Sequence, residues 1–189
     1  MNKKEEKTIA LLVSTLAKLI QKEDYADITI SELIEESGVS RSTFYSHFKK
    51  KDDVLNEVCD DIFHHVFSVH LQEEERHDFS HESVLDCRHI VLHLFYHVQE
   101  QREVLCPIFD SSAYSIFRKR LEPNVTSLMK IALGMKEFQV SNVPDDLALS
   151  IATSALVNFI RYFSFSKDAS LTPERMTDYF FGLFAPKRN

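Results

Sequence analysis

Three glycines and five prolines in 189 residues leave little room for the many tight turns of an all-β fold, and long helices are the natural alternative. Three cysteines, Cys59, Cys87 and Cys106, are odd in number and far apart. Without a CxxC pair, neither a zinc ribbon nor a disulfide framework is indicated, and all three read as small buried hydrophobes. The longest uncharged run, Leu147–Ile160, is 14 residues broken by Ser, Thr and Asn. It is too short and polar to span a bilayer and suits a buried helix. Met1–Lys7 is charged, with no apolar stretch of a signal peptide behind it. A cytoplasmic protein with no membrane partner is expected. Glycine-rich phosphate loops, HExxH and nucleophile elbows are missing, so no catalytic set emerges and no cofactor is expected.

What is present is helical periodicity. Ile9, Leu12, Val13, Leu16, Leu19 and Ile20 make one apolar stripe and predict a helix from about Lys4 to Lys22. Thr29-Ile30-Ser31-Glu32 reads as a capping box opening a short helix that Gly38 ends in a left-handed conformation. Ser40 caps the next helix, Arg41 to about Phe48, and a fourth starts near Lys51–Asp52 and runs past Phe67. The acidic stretch 72–81 reads as a connection. Later helices are expected at about 81–100, 102–110, 112–135, 144–166 and 173–185, with Pro123 kinking or breaking the third of them. Thr172-Pro173 reads as a cap followed by proline in the first turn. The fold class is all-α: a three-helix N-terminal helix-turn-helix and a helical body, about nine helices in all.

Two short helices joined by Ser37-Gly38-Val39 have the geometry that sets a second helix into a major groove. In that helix Phe44 and Phe48 face inward, leaving Ser42, Thr43, Tyr45, Ser46 and His47 outside. Short hydroxyls near a helix N-terminus suit base edges and phosphates, and Tyr45 and His47 reach phosphate oxygens without formal charge. Lys51, at the start of the following helix, can share a phosphate with that helix's N–H groups. The charge of −7 weighs against DNA binding less than it first does. Of 22 basic and 29 acidic residues, nine and nine lie in 1–52, so the remaining 13 and 20 supply the whole excess. A neutral end on an acidic body suits a binder that places a few cations locally.

Gly38-Val39-Ser40, Thr43-Phe44-Tyr45, His47-Phe48, Lys51 and Val54-Leu55 together resemble the DNA-binding domain of the TetR/AcrR family, over residues 8–55. Ile34 departs from it, where the family often has a smaller residue. The resemblance implies DNA contact by Ser42, Thr43, Tyr45 and His47 and phosphate contact by Thr29 and Lys51; with the capping turn, the set is Thr29, Ser40, Arg41, Ser42, Thr43, Tyr45, His47 and Lys51. It implies a DNA-binding domain over 1–52 and, over 53–189, a helical body that binds an effector and dimerises through its last two helices. The expected partners are a double-stranded operator, a second copy of the chain and an unidentified small molecule. Leu147, Ile151, Ala155, Phe159, Tyr179, Phe180 and Leu183 are the expected dimer residues, with Ala148, Ala152 and Ser154 small enough for close helix approach. Packing of both faces within one chain is the alternative. Phe63, Phe67, Phe95, Tyr96 and Phe117 are the expected lining of an apolar effector pocket.

His89, His93 and His97 stand four apart on one helix. Val91, Leu94, Phe95 and Val98 mark that helix's core side, so the row is expected to point away from it as a polar face and not to hold metal. The functional reading is a ligand-responsive repressor acting as a homodimer. A co-regulator that keeps the fold and acts through a partner protein is the alternative, and a metal-dependent sensor or enzyme on the His row the third.

Overall fold

A computed structural model describes residues 3–67, 87–133 and 143–184. Among the described residues there are nine α-helices and no strand: α1 Lys3–Ile20, α2 Ile30–Ser37, α3 Arg41–His47, α4 Lys51–Phe67, α5 Cys87–Glu100, α6 Arg102–Phe109, α7 Tyr114–Leu133, α8 Asp145–Phe165 and α9 Pro173–Phe184. The expected connection at 72–81 and the first turns of the helix expected from 81 lie outside the described residues, as do the side chains of His64, His65 and Phe67. Pro123 neither ends nor interrupts α7, which continues to Leu133. Proline removes one backbone donor. Around it the hydroxyls of Thr126 and Ser127 donate to the carbonyls of Glu122 and Pro123 at 2.7 and 3.0 Å.

The chain packs as two compact units. One comprises Met1–Asp61 with Gln101–Arg120, the other Ile62–Glu100 with Leu121–Asn189. The packing therefore divides within α4 and α7, where the sequence reading draws the line at 52/53.

In the first unit α1 packs on α2 and α6. Leu12, Leu16, Leu19 and Ile20 are buried as the stripe requires, and Ile28, Leu33, Phe44, Val54 and Leu55 close the same core at 2% exposure or less. Each such side chain contributes roughly 1.5–3 kcal/mol on burial. Phe109 and Phe117 meet edge to face at 5.7 Å. Arg120 grips the Asp60 carboxylate through Nε and a terminal nitrogen at 2.6 and 2.8 Å.

In the second unit α5 packs on α8 and α9, and α8 on α9. Phe95 and Phe163 meet edge to face at 5.7 Å. α8 has the length and mean hydropathy of a membrane span, with 44% of that window buried inside the structure. Ala148, Ala152, Leu156, Val157, Ile160 and Phe163 all turn into the core, as in the central helix of a packed bundle. No disulfide joins Cys59, Cys87 and Cys106. The first two are buried; Cys106 is half-buried, and burial pushes its thiol up.

Candidate nucleic-acid interface

Local chemistry sets the two short helices. Thr29 Oγ1 accepts from the Glu32 N–H at 3.1 Å, and the Glu32 carboxylate accepts from the Thr29 N–H at 3.5 Å, which closes the capping box. Gly38 stands at φ 67°, ψ 10°, its N–H donating to the Glu35 carbonyl at 3.3 Å. That left-handed residue turns the chain into α3. Ser40 Oγ accepts from the Thr43 N–H at 3.1 Å and lies 2.7 Å from the Thr43 hydroxyl and 3.0 Å from that of Ser42. Arg41 donates to Ser31 Oγ at 3.0 Å, tying α3 to α2.

Phe44 and Phe48, at 0% and 5% exposure, anchor α3, and their rings lie 5.9 Å apart. With that face fixed, Arg41, Ser42, Tyr45 and Ser46 are exposed and Thr43 and His47 half-buried. The Tyr45 and Phe44 rings meet edge to face at 5.3 Å, and Tyr45 is 49% exposed. Thr29 and Ser40 are exposed at the helix starts. Six of the eight expected contact residues thus lie on α3 and its own N-cap, and Thr29 caps the preceding helix, α2.

Lys51 has another engagement. Its ammonium donates to the carbonyls of Tyr25, Ala26 and Ile28, the last two at 3.2 and 2.6 Å, and lies over the Tyr25 ring at 4.4 Å. An ammonium has three donors, and three carbonyls take them. The Tyr25 hydroxyl donates to Asp52 at 2.6 Å; burial first, and then that carboxylate, raise its pKa far above the ordinary value. Asp53 accepts from the Lys49 and Lys50 N–H groups at 2.9 and 3.1 Å. The α1–α2 turn is thereby clamped to the start of α4. Sequence reasoning missed this clamp because the acceptors are backbone carbonyls, which carry no residue signature.

Residues 12–58 match the family described as bacterial regulatory proteins, tetR family. The likeness to that family's model lies in this segment, about a quarter of the chain. The chain is 38% identical over 61 residues to the HTH-type transcriptional regulator YxbF of Bacillus subtilis, and 32% identical over 53 residues to EthR of Mycolicibacterium smegmatis. Those matches cover 30% and 28% of this chain but only 16% and 24% of the relatives. Over nearly the whole chain the fold is that of solved tetR-family structures. A TetR transcriptional regulator from Streptococcus agalactiae superposes with a TM-score of 0.68 at 21% identity, covering 97% of this chain and 96% of that one. A TetR-family regulator from Syntrophomonas wolfei gives 0.59 at 16% identity, covering 95% and 93%.

The other expected residues separate. Phe63 and Phe95 are buried in the second unit and Phe117 in the first. Tyr96 is half-buried and donates to the Glu174 carboxylate, and that bond, followed by burial, pushes its hydroxyl up to about 12. Of the dimer set, Leu147, Ile151, Tyr179 and Leu183 are 42–61% exposed, and Ala155 and Phe159 are half-buried. Phe180 is corrected: it is wholly buried, 5.6 Å from the Phe159 ring. Ala148 and Ala152 likewise face the core and not outward. Tyr162, 64% exposed on α8, belongs with the outward residues and was not singled out for that face.

The His row is also corrected. His93 and His97 are buried at 1% and 8% exposure, on a helix whose Ile90, Val91, Leu94, Phe95 and Val98 are buried too. His89 is half-buried, and the exposed side chains of α5 are Arg88, Gln99 and Glu100.

Proposed function

We propose that this protein is a cytoplasmic, one-component transcriptional regulator that binds a pseudo-palindromic operator as a homodimer. The observation that carries the reading is α3 itself: a capped helix anchored by Phe44 and Phe48, with Ser42, Thr43, Tyr45 and His47 turned outward. Ser42 and Thr43, at its N-terminal end, sit where a recognition helix meets base edges. Tyr45, His47, Thr29 and Arg41 supply hydrogen bonds to phosphates. Lys51 acts from behind, holding the α1–α2 turn against α4.

A homodimer is supported by the uncovered apolar side chains of α8 and α9, since a pseudo-palindrome needs two readers. Repression and release by a small molecule follow the family pattern. A ligand that favours the geometry unable to bind DNA would weaken operator affinity by its differential affinity for the two states. Gel shift with the DNA upstream of the protein's own gene tests the reading. A specific, salt-sensitive shift supports it. Its absence, with Tyr45→Ala indistinguishable from the parent, would favour a co-regulator that acts through protein partners.

A further inference from the structure

Building on the homodimer reading, we propose that the α8 helices of two copies pair antiparallel about Leu156, with Ser154 of each chain hydrogen-bonded to Asn158 of the partner subunit. The outward face of α8 is one stripe: Leu147, Ile151, Ser154, Asn158, Tyr162 and Phe165 are all exposed. At about 100° per residue they fall within an arc of about 80° and run about 27 Å along the helix. Ala152, Leu156, Ile160 and Phe163 hold the opposite side and are buried.

The stripe has the same pattern in both directions. Leu147 lies nine positions before Leu156 and Phe165 nine after; Ser154 lies two before and Asn158 two after. Apolar side chains hold both ends, and hydrogen-bonding ones the middle. Laid against a reversed copy about Leu156, Leu147 meets the partner's Phe165 and Ser154 meets the partner's Asn158. A two-fold axis generates each contact twice. An amide and a hydroxyl each donate and accept, so the Ser154–Asn158 pair stays satisfied once water is excluded. Polar groups within an apolar seam fix its register in this way. A register one turn away on either side carries Leu147 or Phe165 past the end of the partner helix.

Charge selects the antiparallel sense. α8 begins with Asp145 and Asp146, and the exposed Arg161 and Lys167 stand in its last turn and just beyond it. Asp145 lies eleven positions before Leu156 and Lys167 eleven after, so the same register sets each acidic start against a basic end. Parallel pairing would bring like charges together at both ends, which is costly at an interface.

Disulfide trapping and analytical ultracentrifugation of the full-length chain test the register. Ser154→Cys and Asn158→Cys change exposed positions and should fold as the parent does. Co-expressed, the two variants should oxidise to an interchain disulfide between positions 154 and 158, located by peptide mass spectrometry. Neither alone should crosslink through its new thiol. In the proposed register, like positions are offset by about 6 Å along helices about 8 Å apart, beyond the ~7 Å Cα reach of a disulfide. Asp145→Lys should weaken dimerisation by about tenfold, and adding Lys167→Glu should restore it. A dimer in which either single variant crosslinks to itself, positions 154 and 158 never join, or Lys167→Glu gives no rescue would overturn the register and leave the homodimer reading standing. A chain that stays monomeric over the whole concentration series would overturn both.

Discussion

The Lys51 ammonium donates to the Ile28 carbonyl at 2.6 Å, across 23 residues of chain, and so holds the residue just before the α2 cap against the first residue of α4. This bond and those to Tyr25 and Ala26 separate two tasks for one lysine, phosphate contact and internal clamp. Lys51→Met keeps most of the stem and removes the charge. As a clamp, its loss strands partly buried carbonyls and should cost roughly 1–3 kcal/mol in urea unfolding. DNA affinity should fall for all sequences alike, with the dependence on salt unchanged. A lysine acting on phosphate would instead lower the log–log salt slope by about 1.

Gly38 answers to backbone geometry alone. A Cβ built on it meets nothing within 4 Å, so space is not the constraint, but φ is 67°. Gly38→Ala should therefore destabilise by about 1–2 kcal/mol, the left-handed penalty of an L-residue. Ser40→Ala, which removes the α3 cap, should cost about 1 kcal/mol. Chemical denaturation of both variants checks the pair; a neutral Gly38→Ala would contradict the turn geometry.

Two neighbours on α9 should behave oppositely. Phe180 is wholly buried, and Phe180→Ala should cost about 3–5 kcal/mol by leaving a cavity. Tyr179 and Leu183 are 49% and 61% exposed. Tyr179→Asp with Leu183→Asp should leave the unfolding of the isolated chain nearly unchanged and weaken dimerisation by about 100-fold or more, since unpaired charges would have to be buried at the interface. Analytical ultracentrifugation over a concentration series reads both effects. A double variant that stays dimeric would remove this face from the interface.

Asp24 gives a pH dependence of known sign. It accepts from the Ala26 N–H and the Ser112 hydroxyl, both at 2.8 Å, and these bonds hold its carboxyl below the usual aspartate value. A carboxylate depressed on folding adds stability that is complete above the unfolded value of about 3.9 and is lost as pH falls through the folded one. Asp24→Asn should therefore lower the urea midpoint at pH 7, and the gap to the parent should close on acidification below about pH 5. A gap that persisted at pH 2 would show that the carboxylate charge is not its source.

The legible parts of this molecule were those written in adjacent residues. Thr29 with Glu32, Gly38, and Ser40 with Thr43 act within three residues of one another, and each cap formed as the sequence implied. The inward turn of Phe44 and Phe48 followed from their four-residue spacing. Long-range partners left no such trace. Nothing in the sequence marks the carbonyls of Tyr25, Ala26 and Ile28 as the acceptors of Lys51, or Asp52 as that of Tyr25. Periodicity failed on α5 for a definite reason. A stripe argument assumes one solvent face, whereas α5 is covered on several sides and buries His93 as fully as Leu94. On α9 the same assumption merged Phe180 with Tyr179 and Leu183, although Phe180 is buried and the other two are exposed.

The central claim is that α3 reads DNA, and fluorescence anisotropy with duplexes tiled from upstream of the protein's own gene tests it most directly. Measured from about 50 to 200 mM salt, the account predicts one tile bound far more tightly than the rest, with affinity falling steeply as salt rises. It further predicts that Tyr45→Ala, at an exposed ring on α3, weakens that tile by at least tenfold and leaves the fold intact, while changes at Ser42 or Thr43 alter which bases are preferred. Equal binding to every tile, or a Tyr45→Ala protein that binds like the parent, would contradict it.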